Sequence, residues 1–130
     1  MFDPERFVPA TAETEVGYRS FLDSQRQRAD KVILVAEREG AVVGYAYAGV
    51  EGVDWMALRG PAGAIYDLVV DPGRRREGIG RMLLEAVAAE LVRRGAPLLV
   101  LSTAARNGPA QQLFAAAGFR RTMIEMAREA

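Results

Sequence analysis

The segment from Val70 to Arg81 (VDPGRRREGIGR) contains residues whose types and spacing suit the binding of a diphosphate. Gly78 and Gly80 fall in the first turn of a predicted helix, where glycine lets a ligand approach the backbone closely. The free N–H groups of a helix start and the positive end of its dipole favour an anion. Three arginines, Arg74 to Arg76, add charge-assisted contacts to phosphate. The segment therefore predicts a pyrophosphate site.

Other interpretations of this segment have less support. A Rossmann fingerprint needs a third glycine, and Leu83 stands at its place. The Gly-Lys-Ser/Thr of a Walker loop is absent from it. A Gly-x-Gly pair is often a packing or turn feature, and an arginine run is often a solvated surface or a nucleic-acid patch. The position between a strand and a strongly amphipathic helix favours phosphate binding.

The chain has no histidine and no cysteine, which limits its chemistry. A Ser–His triad, a thiol nucleophile and a zinc site of the usual ligands are excluded. Lys31 is the only lysine, so a Schiff-base mechanism would depend on it alone. Catalysis must use carboxylates, tyrosines, arginines, hydroxyls, this lysine or backbone groups. A reaction that mainly needs positioning and backbone polarisation is compatible with these residues.

Length and charge define the class of protein. The 130 residues fit one domain, predicted for 1–130. The 17 basic residues balance the 17 acidic ones, which gives no general attraction to nucleic acid or an anionic membrane. The apolar stretches are too interrupted for a membrane span, and the N-terminus MFDPERF lacks the apolar region of a signal peptide. The lack of cysteine fits a reducing compartment, so we expect a cytoplasmic protein.

The elements that position the segment predict an α/β chain with a mixed sheet. Residues 1–10 are expected to be irregular, and residues 11–29 form a predicted helix. The helix after the segment has apolar residues at i, i+3, i+4 spacing, and Gly95 and Pro97 end it. Another helix is predicted between Pro109 and Gly118. The apolar positions of the first of these helices are Ile79, Met82, Leu83, Ala86, Val87 and Leu91, and the predicted strands are 31–37, 41–49, 64–70, 98–103 and 119–127.

Two motifs resemble the GNAT N-acetyltransferase superfamily. Its acetyl-CoA signature is Arg/Gln-x-x-Gly-x-Gly/Ala, and residues 75–80 are Arg-Arg-Glu-Gly-Ile-Gly. The family often has Asn, six residues, Tyr, three residues and Gly-Phe, and this chain has Asn107, Phe114 and Gly118-Phe119 at that spacing. The resemblance covers about residues 31–127. It implies the GNAT acyl-CoA N-acyltransferase-like fold, a mixed β-sheet flanked by helices (α+β).

The resemblance also implies how acetyl-CoA binds. Backbone N–H groups of 75–81 would bind the pyrophosphate, and acetyl-CoA would lie where the strand ending at Val70 splays from the strand 98–103. The N–H of Val69 would stabilise the oxyanion, and Asn107 would contact the pantetheine arm or a bridging water. A neutral amine would attack directly, without an acyl-enzyme. The expected acetyl-CoA-binding residues are Leu68, Val69, Val70, Arg75, Arg76, Glu77, Gly78, Ile79, Gly80, Arg81, Asn107 and Phe114.

Phe114 departs from the family pattern. The family's usual tyrosine at this place is thought to protonate the departing CoA thiolate, and phenylalanine cannot donate a proton. A thiolate is a tolerable leaving group, so activity need not vanish. Water is then a candidate general acid, and the Phe114 ring is expected to pack against the cofactor.

The N-terminus is the second departure. The family opens with a strand and a helix that precede the first residues of this chain, and residues 2–9 contain two prolines that argue against a replacement strand. We therefore expect the fold to lack the N-terminal strand and first helix. The strand 31–37 would then expose unpaired N–H and C=O groups. A second copy of the chain is expected to cover this edge in a homodimer.

The acceptor side offers several residues. A general base should be a carboxylate or a water that a carboxylate holds, which indicates Asp67 in AIYDLVV and Glu125 in the predicted last strand. Tyr66 is a candidate for bonding the acceptor. Because side chains alternate along a strand, Tyr66 and Asp67 are expected on opposite faces, so that one of them is structural. The acceptor would enter beside the loop 54–56 (Asp-Trp-Met), although a tryptophan that caps the core is an equal interpretation.

Three functions remain at this point. The first is acetyl transfer from acetyl-CoA, with no metal, to a small-molecule or peptide amine. The second is a non-catalytic acyl-CoA-binding or sensing domain, which the missing tyrosine permits. The third is a nucleic-acid-binding module that uses Arg74 to Arg76, and the neutral net charge argues against it. We expect acetyl-CoA and an amine as partners, and neither nucleic acid nor a membrane.

Overall fold

Four strands form one open sheet in the order β1-β2-β3-β4. The computed structural model describes residues 20–21, 23–24, 28–74 and 77–130. Neighbouring strands pair antiparallel except β3 and β4, which pair parallel. The mixed sheet that the sequence predicts is therefore confirmed. Its elements are β1 (Lys31–Arg38), β2 (Ala41–Glu51), β3 (Ala62–Val70), a 3-10 turn (Pro72–Arg74), α1 (Ile79–Arg93), β4 (Leu99–Leu101) and α2 (Gly108–Ala116).

The chain divides into two compact units. Residues Ser24–Ser102 contain the whole sheet and α1. The second unit comprises Met1–Asp23 and Thr103–Ala130, and it contains α2. Within the described residues, no helix is long and apolar enough to cross a membrane.

The helix α1 packs on one face of the sheet, and two glycines permit its close approach. A Cβ added to Gly44 on β2 would lie 3.1 Å from Cδ1 of Leu83, and one added to Gly63 on β3 would lie 2.9 Å from Cβ of Leu91. Any larger residue at either position would push the helix away. The core between helix and sheet is built from buried residues on both sides, with Ile79, Leu83, Leu84, Val87 and Leu91 from the helix.

The apolar stripe predicted for α1 needs one correction. Met82 is 53% exposed and Ala86 is exposed, whereas Leu84 is among the most deeply buried side chains. Both sets fit helical spacing, and the difference is a rotation of the helix about its axis. The close approaches of Leu83 to Gly44 and of Leu91 to Gly63 fix the orientation of the helix on the sheet, and in this orientation Leu84 is buried. Sequence periodicity gives the width of an apolar stripe but fixes its centre only loosely.

Most element boundaries lie near the predicted ones. β2 and β3 extend further, because Glu51 pairs with Ala62 beyond the predicted ends of both strands. β4 is shorter than predicted and covers only Leu99–Leu101. Helical backbone is present at residues 20–21 and 23–24, within the predicted helix 11–29. The structure does not describe residues 11–19, 22 and 25–27 of that predicted helix. The predicted irregular segment 1–10 also lies outside the described residues.

The strand predicted for 119–127 is wrong. These residues have no strand pairing, and every side chain from Arg120 onward is exposed. Met123, Ile124 and Met126 are 74%, 85% and 88% exposed. A strand needs a face to bury and a neighbour to pair with, and β-branched or long apolar residues do not supply either by themselves.

Candidate active site

The turn between β3 and α1 prepares a helix start with open backbone groups. Asp71 accepts a hydrogen bond from the N–H of Gly73 (3.0 Å) through its side chain and one from Arg74 (2.8 Å) through its carbonyl. Gly78 precedes the helix with a φ of 78° and, within the described residues, no side chain caps the helix. This left-handed conformation suits glycine and strains other residues. A Cβ added to Gly78 would lie within 4 Å of no atom of the described residues, so these residues leave the approach to the helix start open.

Charge around this helix start is mixed. The first N–H groups of α1 have no acceptor within the helix, and the helix dipole adds partial positive charge there. Arg81 bonds Glu85 (2.8 Å), and Glu77 bonds Arg38 (2.9 Å) and lies 3.8 Å from Arg74. The side chains of residues 75 and 76 lie outside the described residues. Among the described residues, the backbone N–H groups at the start of α1, with Arg74 and Arg81, are therefore the groups that could hold an anion.

The strands β3 and β4 part before β3 ends. Their pairing stops at Ile65 and Leu101, whereas β3 continues to Val70. Along Tyr66 to Val70, no strand among the described residues pairs with β3 on the side of β4. This open edge leads straight into the turn and the start of α1. It is the side on which the resemblance places acetyl-CoA.

A β-bulge in β3 changes which side chains share a face. Ala48 pairs with Ile65 but Tyr47 pairs with Asp67, so Tyr66 is an extra residue in the ladder. The ring of Tyr66 lies 5.0 Å from that of Tyr47, and Asp67 accepts a hydrogen bond from the hydroxyl of Tyr45 at 3.1 Å. Tyr45 and Tyr47 share one face of β2 because they are two residues apart. The expectation that Tyr66 and Asp67 point to opposite faces is therefore wrong.

The register also corrects the role expected for Val69. The N–H of Asp71 donates to the carbonyl of Val43 on β2 (2.8 Å), so residues at even spacing from Asp71 along β3 direct their N–H groups to β2. Val69 is one of them, and it pairs with Tyr45. Its N–H therefore faces into the sheet. The alternate residues, Leu68 and Val70, direct their N–H groups to the open edge.

Asp67 already bonds one of these outward N–H groups. Its Oδ1 atom accepts a hydrogen bond from the N–H of Leu68 at 2.9 Å. Its Oδ2 atom accepts one from the hydroxyl of Tyr45 at 3.1 Å. The half-buried carboxylate of Asp67 thus lies directly at the open edge of β3.

Tyr66 belongs to a polar cluster on the same face. Its hydroxyl donates to Oε2 of Glu51 (2.5 Å) and accepts from Nζ of Lys31 (3.0 Å). The other oxygen of Glu51 accepts from Arg59 at 2.6 Å. Burial, then the hydrogen bond to Glu51 and its charge, raise the pKa of Tyr66 well above its usual value. Burial also raises the pKa of Tyr47. The hydroxyl of Tyr66 therefore stays protonated and acts as a fixed hydrogen-bond group.

The loop between β2 and β3 is a small hairpin with an apolar tip. Asp54 and Arg59 exchange two backbone hydrogen bonds of 2.8 and 3.0 Å. Oδ1 of Asp54 accepts from the N–H groups of Met56 and Ala57. At the tip, Trp55 is 78% exposed and Met56 is 96% exposed. Trp55 therefore does not cap the core of the described residues. Arg59 ties the base of this hairpin to Glu51, and through it to Tyr66.

The second unit contains the remaining predicted site residues. Asn107 caps α2, because its Oδ1 accepts from the N–H of Ala110 at 3.2 Å. Phe114 packs edge-on against Phe119, with ring centres 6.3 Å apart. Glu125 is exposed and lies in a segment without secondary structure, so the strand that was expected to position it is absent. Among the described residues, no group of three or more acidic, histidine or cysteine residues could hold a metal ion.

The sequence model of the Acetyltransferase (GNAT) family matches residues 3–119. The chain belongs to the GNAT acetyltransferase family. This family uses acetyl-CoA as its acetyl donor. The match includes the turn with Gly78 and the segment from Asn107 to Phe119, the two regions that carry the motif resemblance.

Several curated GNAT proteins are similar in sequence. Mycothiol acetyltransferase of Thermobispora bispora is 35% identical over 96 residues, which cover 71% of this chain and 31% of that protein. The ribosomal protein bS18-alanine N-acetyltransferase of Escherichia coli is 38% identical over 60 residues, which cover 46% of this chain and 40% of that protein. The chain therefore spans less than half the length of these relatives.

Solved GNAT structures share the fold. The aminoglycoside N-acetyltransferase AAC(6')-Iy in complex with CoA superposes with a TM-score of 0.73 at 21% identity, over 92% of this chain and 92% of that chain. An aminoglycoside 6'-N-acetyltransferase from Acinetobacter haemolyticus superposes with a TM-score of 0.74 at 14% identity, over 92% and 85% of the two chains. At these identities the likeness concerns the fold alone.

Sequence patterns missed several residues of the polar cluster around Tyr66 and Asp67. Tyr45 and Glu51 were not candidates, because only the pairing of β2 with β3 brings them to Asp67 and Tyr66. Lys31 was noted only as the single lysine, and it joins the cluster from β1. The alternating Tyr45-Ala46-Tyr47 pattern indicates one face with two hydroxyls. It does not indicate which residues of β3 lie opposite, since that depends on the bulge.

Proposed function

We propose that residues 1–130 act as one N-acetyltransferase domain, which transfers an acetyl group from acetyl-CoA to a primary amine by direct nucleophilic attack. Membership of the GNAT family supports the reaction class. One structural observation supports its location. The open edge of β3 presents outward N–H groups, including that of Leu68, and runs directly into the open start of α1 behind Gly78.

Acetyl-CoA, the acetyl donor, binds along the continuous edge formed by β3 and the start of α1. The pyrophosphate of acetyl-CoA binds the N–H groups of residues 75–81, where backbone dipoles converge on an anion. The pantetheine arm runs along β3 and bonds the N–H of Val70. The thioester oxygen bonds the N–H of Leu68, which stabilises the negative charge that develops on it during attack. Leu68 thus replaces Val69 in this role. The family motif also assigns Asn107 and Phe114 to cosubstrate binding.

The acceptor side lies on the face of the sheet that carries Tyr66 and Asp67. A primary amine is mostly protonated at neutral pH, so it must lose a proton before it attacks. The carboxylate of Asp67 accepts that proton, since it lies at the edge that holds the thioester. The hydroxyl of Tyr66, fixed by Glu51 and Lys31, orients the acceptor. Bond formation to the amine nitrogen expels CoA as a thiolate, which water protonates. We assign no role to Glu125.

The acceptor is a small-molecule or peptide amine. The names of similar proteins mention mycothiol, a ribosomal protein alanine and aminoglycosides, which are three different chemical types. The 54–59 hairpin, whose tip is apolar and exposed, is anchored at its base to Glu51 of the Tyr66 cluster, and we propose that the acceptor passes beside it. No metal takes part in the proposed reaction, and neither nucleic acid nor a membrane is a proposed partner.

We also propose a cytoplasmic homodimer. Within the described residues, β1 pairs only with β2, so its other edge offers N–H and C=O groups to a second chain. The chain has no cysteine, which suits a reducing compartment. Light scattering across a dilution series, with hydrogen exchange at residues 31–37, tests the dimer. A monomer at micromolar concentration with strongly protected amides in β1 would contradict it.

A non-catalytic acyl-CoA-binding domain is the alternative, and Phe114 is the observation that favours it. The family's proton donor is missing there, and the ring packs against Phe119. Thermal shift with acetyl-CoA, followed by CoA-thiol release with a panel of amines, separates the two functions. A transferase is stabilised by acetyl-CoA and releases CoA with at least one amine. Stabilisation without any amine-dependent release would support the binding domain.

A further inference from the structure

Asp67 and acetyl-CoA compete for one backbone donor. Oδ1 of Asp67 accepts from the N–H of Leu68 at 2.9 Å. The register of β3 directs this N–H away from β2, to the edge where β4 has ended. In the proposed reaction the thioester oxygen needs the same N–H. One N–H makes only one well-aligned hydrogen bond, so the carboxylate and the thioester oxygen exclude each other there.

We propose that Asp67 is a switched base: its carboxylate rests on the N–H of Leu68 and is released to accept the amine proton when the acetyl carbonyl takes that N–H. This inference rests on the proposed acetyl transfer and adds how the donor prepares the base. The hydrogen bond from Tyr45 to Oδ2 keeps the carboxylate on the acceptor face throughout. Tyr45 is therefore a positioning residue for Asp67.

Electrostatics favours the exchange. A carboxylate that remained on the N–H of Leu68 would place its negative charge beside the thioester oxygen, where more negative charge develops during attack. Once displaced, the carboxylate no longer occupies the N–H of Leu68, and its Oδ1 atom turns to the amine. Donor binding thus removes a competitor from the oxyanion donor and presents the base to the acceptor in a single movement.

The proton and electron pairs balance in this scheme. Asp67 takes one proton from the ammonium form of the acceptor, and the nitrogen lone pair attacks the carbonyl carbon. The carbon–sulfur bond breaks as the carbonyl re-forms, and its electron pair leaves on sulfur. The second proton of the attacking nitrogen passes through water to the thiolate, which gives CoA and the amide. Asp67 then returns its proton to solvent and its carboxylate to Leu68.

The experiment compares two ligands that differ in the acyl carbonyl. Acetyl-CoA has the thioester oxygen, and S-ethyl-CoA replaces it with a thioether that needs no N–H. Calorimetry on the whole chain gives the dissociation constant (Kd) of each ligand for the natural protein, Asp67→Ala, Asp67→Asn and Glu51→Gln. The Kd of S-ethyl-CoA divided by that of acetyl-CoA isolates the carbonyl, because a general change in charge or folding affects both ligands.

Asp67→Ala should raise this ratio about fivefold, the size of one net hydrogen bond, because acetyl-CoA no longer displaces a carboxylate. Asp67→Asn keeps an uncharged hydrogen-bond acceptor for the N–H of Leu68, so it should raise the ratio of Kd values less. Glu51→Gln changes a carboxylate on the same face that does not contact Leu68, so its ratio should stay at the natural value. An unchanged ratio in both Asp67 variants would overturn the switch.

The binding measurement separates this inference from the proposed function. If the natural protein acetylates no amine but Asp67→Ala raises the ratio, the competition is real and the proposed function fails. If amines are acetylated and Asp67→Ala lowers kcat without changing the ratio, Asp67 is a base without a switch. Where Asp67→Ala does not fold, Asp67→Asn gives the same comparison. In that variant, a selectively labelled Leu68 amide should also shift upfield as the charged acceptor disappears.

Discussion

Tyr66 and Asp67 are consecutive residues of β3 whose side chains lie on the same face of the sheet. A regular strand would separate them. The bulge at Tyr66 places two polar groups on one face of the sheet. They are the hydroxyl of Tyr66, which keeps its proton, and the carboxylate of Asp67, which bonds the N–H of Leu68. In the proposed reaction these two groups are the base and the orienting group for one acceptor, in a chain that has no histidine or cysteine.

Substitution of Gly78 should remove acetyl-CoA binding. Gly78→Asp places a negative side chain at the start of α1, where we propose that the pyrophosphate binds. We expect the Kd measured by calorimetry to rise by at least about tenfold. Gly40→Asp is the matched control, because Gly40 has a φ of 80° and open surroundings but lies in the β1–β2 turn. Both glycines have nearly the same positive φ, so equal losses of affinity in the two variants would place the site elsewhere.

Proline substitutions should distinguish the two candidate oxyanion donors, the N–H of Leu68 and the N–H of Val69. Leu68→Pro removes an N–H that faces the open edge, so the sheet should persist while kcat falls by about 10²–10³-fold. Val69→Pro removes an N–H directed at β2 and should lower the free energy of unfolding by about 3 kcal/mol. Urea unfolding and steady-state kinetics measure both effects. The reverse pattern, an unfolded Leu68→Pro and a stable but inactive Val69→Pro, would restore the role to Val69.

Restoring the family's tyrosine tests the packing role of Phe114. Phe114→Tyr adds a hydroxyl to a ring that lies edge-on to Phe119, and the family uses such a hydroxyl as a proton donor. We expect kcat to be preserved or raised, with little change in the Kd of CoA. Steady-state kinetics with calorimetry will show this. A large loss in kcat with CoA binding intact would count against the placement of Phe114 beside the cosubstrate.

The acid sensitivity of α1 depends on Glu90. Hydrogen bonds from Arg93 and Arg94 lower the pKa of this carboxyl from 4.5 to about 2. A lowered folded-state pKa stabilises the fold above the unfolded value and loses that effect as pH falls toward the folded value. Glu90→Gln should therefore lower the Tm at pH 6, and its Tm should approach that of the natural protein as pH falls from about 4.5 to about 2. A Tm difference that is constant across this range would contradict the assignment.

The sequence predicted the elements of the fold better than the geometry of the site. The apolar spacing from Ile79 to Leu91 and the Gly95 stop predict α1 because helix periodicity is local. The strand predicted for 119–127 failed because its stability depends on a neighbour that the local pattern does not reveal.

The orientation of the side chains and N–H groups at the site was predicted wrongly for a related reason. One extra residue in β3 reverses the orientation of every later side chain relative to the start of the strand. A bulge has no clear signature in Ala-Ile-Tyr-Asp-Leu, so the faces of Tyr66 and Asp67 could not be assigned from alternation. The choice between Val69 and Leu68 likewise depends on the pairing of Asp71 with Val43.

Product formation is the most direct test of acetyl transfer at this site. The whole chain is incubated with isotopically labelled acetyl-CoA and a panel of amines: simple primary amines, peptides with N-terminal alanine, and an aminoglycoside. Mass spectrometry then identifies any amide that carries the label. The account predicts labelled N-acetyl product with at least one amine, and a rate at least about 100-fold lower for Asp67→Ala, since general-base catalysis contributes that much. Tight binding of acetyl-CoA with no labelled amide from any amine, or an undiminished rate in Asp67→Ala, would contradict it.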